Sequence, residues 1–515
     1  MPRSTGPTTV LPTTVPLGTT RKLTRPSRKF VAIAVVVLVA ACLFVGGYLL
    51  FIRKTRSTIQ SIAVMPFTNA SGNADFEYLS DGMTETLINS LSNIPNLSVK
   101  ARSSVFRFKG KEIEPRKIAS ELNVEAILIG RFVERGEQLI LNLELIDAHT
   151  ENVIWGNKYE RKASELVALQ SEVARDVSNK LKSKLSGADE AKIAKSLAAN
   201  TEAYELYLKG LFYWNQRTPE ALKKSVEYFN LALDKDPNYA AAYAGIASSY
   251  VLYPEYSINA PREVVPKAKT MARRALELDD NLAEAHTALG YALLTYDRNF
   301  EEARIHLTRA IELNPNYATA YQWYTDGYLV AFGKTDEAID YIKKAHEIDP
   351  SSLIINIQMG LCYVYARDYD EAEEQFRKTI ELDPNWYLGH WFLGMTYELK
   401  GNLKGASAEY QRAKELTDDP YLLAHIAHVE AAQGRREEAL KIIEHMKQLA
   451  TQRYVPAYAF AIAYIGVGQK EEALNMLERS DEDRAWDILH LKVEPFFDSL
   501  REEPRFKKLV ERVGL

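Results

Sequence analysis

The chain has 515 residues, 46% of them hydrophobic and 26% charged. That is ordinary globular composition, which excludes a disordered chain, and at about 150 residues per domain it allows two to four domains. The net charge of −5 is uneven: residues 1–74 carry nine basic side chains and no acid, leaving 55 basic against 69 acidic residues beyond them. An acidic body argues against nucleic-acid binding, which needs a basic face for phosphates. The only cysteines, Cys42 and Cys362, exclude a disulfide framework and a Cys-based zinc site. They leave the redox compartment open.

Residues 1–20 are rich in Thr and Pro and nearly free of large apolar side chains. They cannot bury enough surface to offset ordering entropy, so residues 1–29 read as a disordered, basic tail. Residues 30–52 then run 23 positions without a charge. As a helix this run is roughly 34 Å long, enough for a hydrocarbon core of about 30 Å, and it predicts a single transmembrane helix. It is too long for a secretory signal. Val39-Ala40-Ala41-Cys42 resembles a lipobox, but the sequence after Cys42 stays apolar where a polar tether is expected. Arg21, Lys22, Arg25, Arg28 and Lys29 flank the run on its amino side, and Arg53, Lys54 and Arg56 follow it. This bias predicts a cytoplasmic amino terminus and an extracytoplasmic, periplasmic bulk.

Residues 59–186 predict a small α+β domain. Ser61–Phe67 reads as a buried strand. A helix follows through Leu79, Met83, Leu87 and Leu91, capped at Ser80 or Asp81. Leu97–Phe108 reads as a second extended stretch, and Pro115 opens a short helix to Leu122. Ala126–Val133 and Leu139–Ile146 form a hairpin signal, with Leu139, Leu141, Leu143 and Leu145 alternating onto one face. Val153–Tyr159 is a further strand, and Val167 to Leu185 a closing helix. This order predicts one sheet with helices packed on it. The runs SIAVMPFTN, FEYLSDGMTETLINSLS, VKARSS, residues 119–130 and IDAHTENVIWGNKYE resemble the TolB-like amino-terminal domain. That family implies no catalytic residues here, and Asp81, Glu85, Asp147 and Trp155 read as caps, turns and core.

Residues 200–481 carry an internal repeat. Ala268, Ala303, Ala338, Ala372, Ala406, Ala439 and Ala473 recur at intervals of 33 to 35 residues. A large side chain follows most of them four positions on: Leu307, Ile342, Phe376, Tyr410, Ile443 and Leu477. Pro315, Pro350 and Pro384 close three units. Small residues let two helices approach, the large one fills the gap, and proline stops the second helix. This pattern resembles the tetratricopeptide (TPR) repeat. With two less regular units, 203–237 and 238–280, it predicts about eight helix pairs. Residues 482–515 break the pattern and read as capping helices. Anchor, TolB-like domain and repeats together resemble the extracytoplasmic half of bacterial receptor serine/threonine kinases, with only 29 residues before the apolar run and no kinase signature.

Catalytic and cofactor motifs are lacking in the sequence. Gly327 to Thr335 misses the phosphate-binding loop by one residue and follows no strand. His425 and His428 have no third ligand at a metal-site spacing. No enzyme activity, cofactor or metal is therefore expected. Repeat register instead assigns an aromatic groove on the first helices: Tyr239, Tyr250, Tyr291, Trp323, Ile357, Tyr365, Trp391, Met395 and Tyr458. Those positions lack the Lys, Arg and Asn of a carboxylate clamp. The groove predicts a protein or peptide ligand. The whole reads as a membrane-anchored, non-enzymatic interaction scaffold. The alternative is a sensory or regulatory subunit of a separately encoded signalling kinase or cyclase.

Overall fold

The computed structural model describes residues 59–71, 76–92, 94, 97–111, 114–181 and 201–515. The α+β part runs β1 (Ser61–Val64), β2 (Thr68–Asn69), α1 (Glu77–Ser92), β3 (Ser98–Val99), α2 (Arg102–Phe106), α3 (Pro115–Leu122), β4 (Ala126–Arg135), β5 (Gln138–Asp147), β6 (Val153–Lys162) and α4 (Leu166–Leu181). The sheet order is β3-β1-β4-β5-β6, with β2 also paired to β4. β1 pairs parallel to β3 and β4, whereas the β4–β5–β6 meander is antiparallel. Leu139, Leu141, Leu143 and Leu145 are all buried, as their alternation requires.

Two local expectations need correction. Ser80 and Asp81 do not cap α1 but lie inside it. Asp81 accepts a 2.5 Å hydrogen bond from Lys109. The extended stretch 97–108 is strand only at Ser98–Val99 and then turns into α2. The reason is long-range: Ser103 and Ser104 hydroxyls both donate to Asp349, 245 residues or more away in sequence.

Eight helix pairs follow: α5 (Thr201–Trp214) with α6 (Pro219–Lys235), α7 (Ala240–Leu252) with α8 (Pro261–Leu278), α9 (Ala283–Ala292) with α10 (Phe300–Leu313), α11 (Ala318–Tyr324) with α12 (Thr335–Ile348), α13 (Leu353–Tyr365) with α14 (Tyr369–Leu382), α15 (Tyr387–Leu399) with α16 (Leu403–Lys414), α17 (Pro420–Ala432) with α18 (Arg436–Ala450), and α19 (Ala457–Gly466) with α20 (Lys470–Glu482). α9 and α11 continue as π-helical turns, Leu293–Asp297 and Thr325–Val330. Two 3-10 turns, Asp487–His490 and Pro495–Leu500, precede α21 (Pro504–Val513). Every repeat alanine named above is fully buried. At Gly360 a β-carbon would sit 2.3 Å from the Phe376 ring, so only glycine admits that ring.

The predicted fold class is corrected in one respect. Among the described residues no helix is long and apolar enough to cross a membrane. The longest, α8, carries Arg262, Glu263, Lys267, Lys269, Arg273, Arg274 and Glu277, because a solenoid helix keeps a polar outer face. Residues 30–52, on which the transmembrane expectation rested, lie outside the described residues, as do the tail 1–29, Cys42 and Leu185.

The α+β core is continuous with the first repeats, sharing Ala203, Tyr204, Leu208 and Tyr239. Thr86 and Tyr204 hydroxyls meet at 2.8 Å. Gly82 of α1 lies so close to α5 that a β-carbon there would be 2.8 Å from Leu208 Cβ. Alanine in place of helical glycine normally gains up to about 1 kcal/mol. Here the contact is with a β-carbon fixed to backbone, so Gly82→Ala is expected to destabilise the chain by about 1–3 kcal/mol in thermal unfolding. A stabilised variant would show that the two helices can separate without loss.

Candidate functional site

The residues assigned to the groove are buried, all but the half-buried Tyr250. Tyr291 and Trp323 rings lie 4.6 Å apart. Tyr239 packs on Tyr207 at 5.0 Å, and Tyr250 edges onto Tyr253 at 5.3 Å. Trp391 lies between Phe392 (4.8 Å) and Tyr421 (6.3 Å), its indole nitrogen without a hydrogen-bond partner. Ile357 and Met395 belong to the same apolar core. An open aromatic groove at these positions is therefore not observed.

What covers much of this face is the chain itself. Residues 485–500 lie across the first helices of four repeats. His490 reaches Asp326, in the π-helical turn that extends α11, at 3.3 Å, and its ring lies tilted against Tyr365 of α13 at 5.4 Å. Phe496 sets its edge against His425 and His428 of α17, each at 4.8 Å. Phe497 does the same to Tyr458 of α19 at 5.2 Å. Asp498 pairs with Arg367 at 2.8 Å. Tyr421 donates a short hydrogen bond to Asp487, and Ser480 donates a second at 3.0 Å. Ile488, Leu489, Leu491 and Phe497 are fully buried in the process. α21 lies against the last repeat helix, through Arg505 to Glu471 and Glu478 and Arg512 to Asp481. The stretch read as capping helices thus divides into an inner-face segment and one terminal helix. Asp481 also meets the buried Arg298 at 3.2 Å, which brings the last repeat helix back to the third pair.

Beneath the segment lies a buried polar network. Tyr291 donates to Glu255 at 2.7 Å, and Gln358 donates to Asp326 at 2.8 Å. Burial pushes the Glu255 carboxyl up to about 8 and Asp487 up to about 6. Burial also raises Glu494. At His490 burial acts to lower the pKa, but the Asp326, Glu494 and Asp487 carboxylates outweigh it and hold the imidazole above its ordinary value. Arg298, Arg367 and Arg217 complete the charges nearby.

His425 is buried with Nδ1 unpartnered, and burial lowers it to about 3, so it is a neutral packing group. His428 turns away to pair with Glu398 at 2.6 Å. Residues 327–335 form the π-helical turn and the start of α12. Among the described residues no cluster of three or more His, Cys, Asp or Glu is placed to hold a metal. Asp147 accepts the backbone N–H groups of His149 and Thr150 in a turn, and Glu85 pairs with Arg102 at 3.1 Å. Sequence reasoning missed Asp326, His490, Phe496 and Phe497. The run of buried aromatics and acids in 486–498 was the available signal.

Residues 329–389 match the tetratricopeptide repeat family, and the chain carries a TPR array. Residues 57–176 match the second domain of HilA/YgeH-like transcriptional regulators. The chain is 31% identical over 247 residues to "Putative adenylate cyclase 3" of Rhizobium meliloti, a stretch covering 47% of this chain and 41% of that protein. It is 27% identical over 146 residues to the transcriptional regulator HilA of Salmonella typhimurium, covering 28% of this chain and 26% of the regulator. The chain thus spans less than half the length of these relatives. Among solved structures it resembles YrrB, described as a TPR protein with an unusual peptide-binding site, at 23% identity and a TM-score of 0.27, covering 38% of this chain and 96% of that one.

Two predictions follow from the buried face. Trp391→Ala removes a packed ring, so it is expected to cost about 3–5 kcal/mol of stability in denaturant unfolding. An unchanged midpoint would place the ring outside the core. The second concerns pH. Glu255, Asp487, Glu494 and His490 all hold folded pKa values above their free ones. Their contribution is full below the free values and is lost as pH rises through the folded ones, here from about 6 to about 8. Amide-exchange protection of residues 485–500 is expected to fall on going from about pH 6 to pH 9. Glu255→Gln should flatten the upper part of that dependence. Protection that rises with pH would contradict the assignment.

Proposed function

We propose that this chain is a non-enzymatic protein-interaction scaffold whose inner helix face grips extended protein segments. One observation carries the reading: the chain's own residues 485–500 are seated there across successive first helices. The seated segment defines the chemistry that fits. It offers two adjacent aromatic anchors, Phe496 and Phe497, flanked by the carboxylates Asp487, Glu494 and Asp498. Buried aromatic anchors dominate such recognition, and the exposed Asp498 at the rim helps set register. A partner segment of this composition binds by displacing the resident one. The effective concentration of a tethered segment is of millimolar order, so displacement is the step that limits apparent affinity.

The test uses the full chain and a fluorescent peptide of residues 484–501. Phe496→Ala with Phe497→Ala weakens the resident segment without touching the helices that receive it. The double variant is expected to bind the peptide at least about tenfold more tightly than the unsubstituted chain. A folded double variant that binds no more tightly would overturn the proposal.

A second reading is a regulatory subunit of a signalling enzyme. The likeness over 247 residues to a putative adenylate cyclase supports it. Cyclase activity co-purifying with the tagged chain, and increased with the double variant, is the expected result. Purification without it would leave the scaffold reading alone.

A further inference from the structure

A second feature lies away from the inner-face segment. Between α1 and α2 of the α+β part and the amino-terminal ends of α7, α9, α11, α13 and α15 is a cavity of about 980 Å³. That is the upper end of the range for small-molecule sites. Its walls carry Tyr207, Trp214, Tyr239, Tyr256, Tyr317 and Trp386.

Most charges on this wall are already committed. Glu85 pairs with Arg102 at 3.1 Å and accepts from Asn215 at 2.8 Å. Arg107 pairs with Glu121 at 3.3 Å. Asp349 accepts from Ser103 and, at 3.0 Å, from Ser104. Asp236, Asp279 and Asp383 accept backbone N–H groups of Asn238, Asn281 and Asn385 at 3.1, 3.2 and 2.9 Å.

Two opposite charges remain. Arg217 is held in a left-handed turn with φ 51°. Its guanidinium lies 3.8 Å over the Trp214 ring, hydrogen-bonds Tyr256 and acts at longer range on Glu255, but it forms no ion pair among the described residues. Glu284, in the first turn of α9, turns back only on its own backbone N–H. It forms no ion pair among the described residues, and burial raises its carboxyl above the ordinary range. These two charges do not meet each other, yet both act on the Tyr317 hydroxyl, which burial and Glu284 raise and Arg217 opposes. Glu284 acts on Tyr207 as well, after burial. On the same wall Gln170, 3% exposed, leaves its carbonyl oxygen unpartnered, as the Trp214 indole nitrogen is.

A cation and an anion in one ring-lined cavity, neither held in an ion pair among the described residues, call for a ligand bearing both opposite charges. We propose that the cavity binds a small zwitterion, a free amino acid or a short peptide with free termini. Its ammonium group sits on Glu284 among Tyr207, Tyr239 and Tyr317, and its carboxylate on Arg217. Tyrosine faces attract an ammonium, and a guanidinium takes a carboxylate through two parallel hydrogen bonds.

Calorimetric titration of the full chain with phenylalanine and with the dipeptide alanyl-phenylalanine tests this. At least one is expected to bind, with acetylation of its amine or amidation of its carboxylate each weakening binding about tenfold or more. In Arg217→Gln amidation should no longer matter, and in Glu284→Gln acetylation should no longer matter. Arg217→Lys, which keeps the charge, should retain part of the amidation penalty and controls for folding at the turn. Equal affinity of the two probes points to an amino acid, and tighter binding of the dipeptide to a peptide. Absence of binding by both probes overturns the proposal, as do doubly capped probes that bind equally well. Folded variants with unaltered discrimination also overturn it.

Discussion

The close approach of paired helices is the constraint from which the rest of this molecule follows. Several pairs close because a small residue on one helix faces a large one on its partner. Gly360 receives Phe376, and Gly394 receives Tyr410 with a would-be β-carbon at 2.7 Å. Repeating that contact every 34 residues or so fixes a constant rotation between pairs, so the array must curl. Curling is what lets the last helix return to the third pair, where Asp481 meets Arg298. It also gathers the first helices onto one inner face, and leaves their amino-terminal ends beside α1 and α2.

Curvature gives that inner face a problem of exposure. First helices here are apolar nearly all round, as in LIINIQMGLCYVY and AYAFAIAYIG. One side packs in the pair and another on the next repeat. The remaining side would be an apolar strip too long to leave bare. Residues 485–500 solve this by burying Ile488, Leu489, Leu491 and Phe497 against it.

The repeats were legible because their signal is local and periodic. Each alanine and its large neighbour four residues on lie on one helix, so spacing alone reports them. The hairpin was legible for the same reason, since four alternating leucines need only one strand. Non-local features were not. α2 was read as extended because nothing in residues 101–106 announces that Asp349 will bind two of its serines. The inner-face segment was read as a cap because its partners, Asp326, Tyr365 and His425, lie about 70 to 165 positions earlier. Register placed Trp323 and Trp391 on first helices, but register cannot say what packs onto them. The cavity is further still from view, because Arg217 and Glu284 come to line one cavity only through the packing of three repeats on the α+β part.

Energetics separate the inner-face segment from the array it covers. The helix pairs rest on apolar contacts, whose burial is favourable at every pH. The segment adds aromatic anchors of the same kind, but it also buries Glu255, Asp326, Asp487, Glu494 and His490 together. Taking carboxylates out of water costs several kcal/mol each unless partners compensate, and a buried charged network returns little net stability. Here hydroxyl donors from Tyr291, Tyr421 and Ser480 compensate in part, and burial still raises the Glu255 and Asp487 carboxyls above their ordinary range. The segment therefore opens at lower free energy than the helices beneath it. A scaffold that binds by exchanging its own segment needs that ordering, since the receiving face must stay folded while the resident leaves.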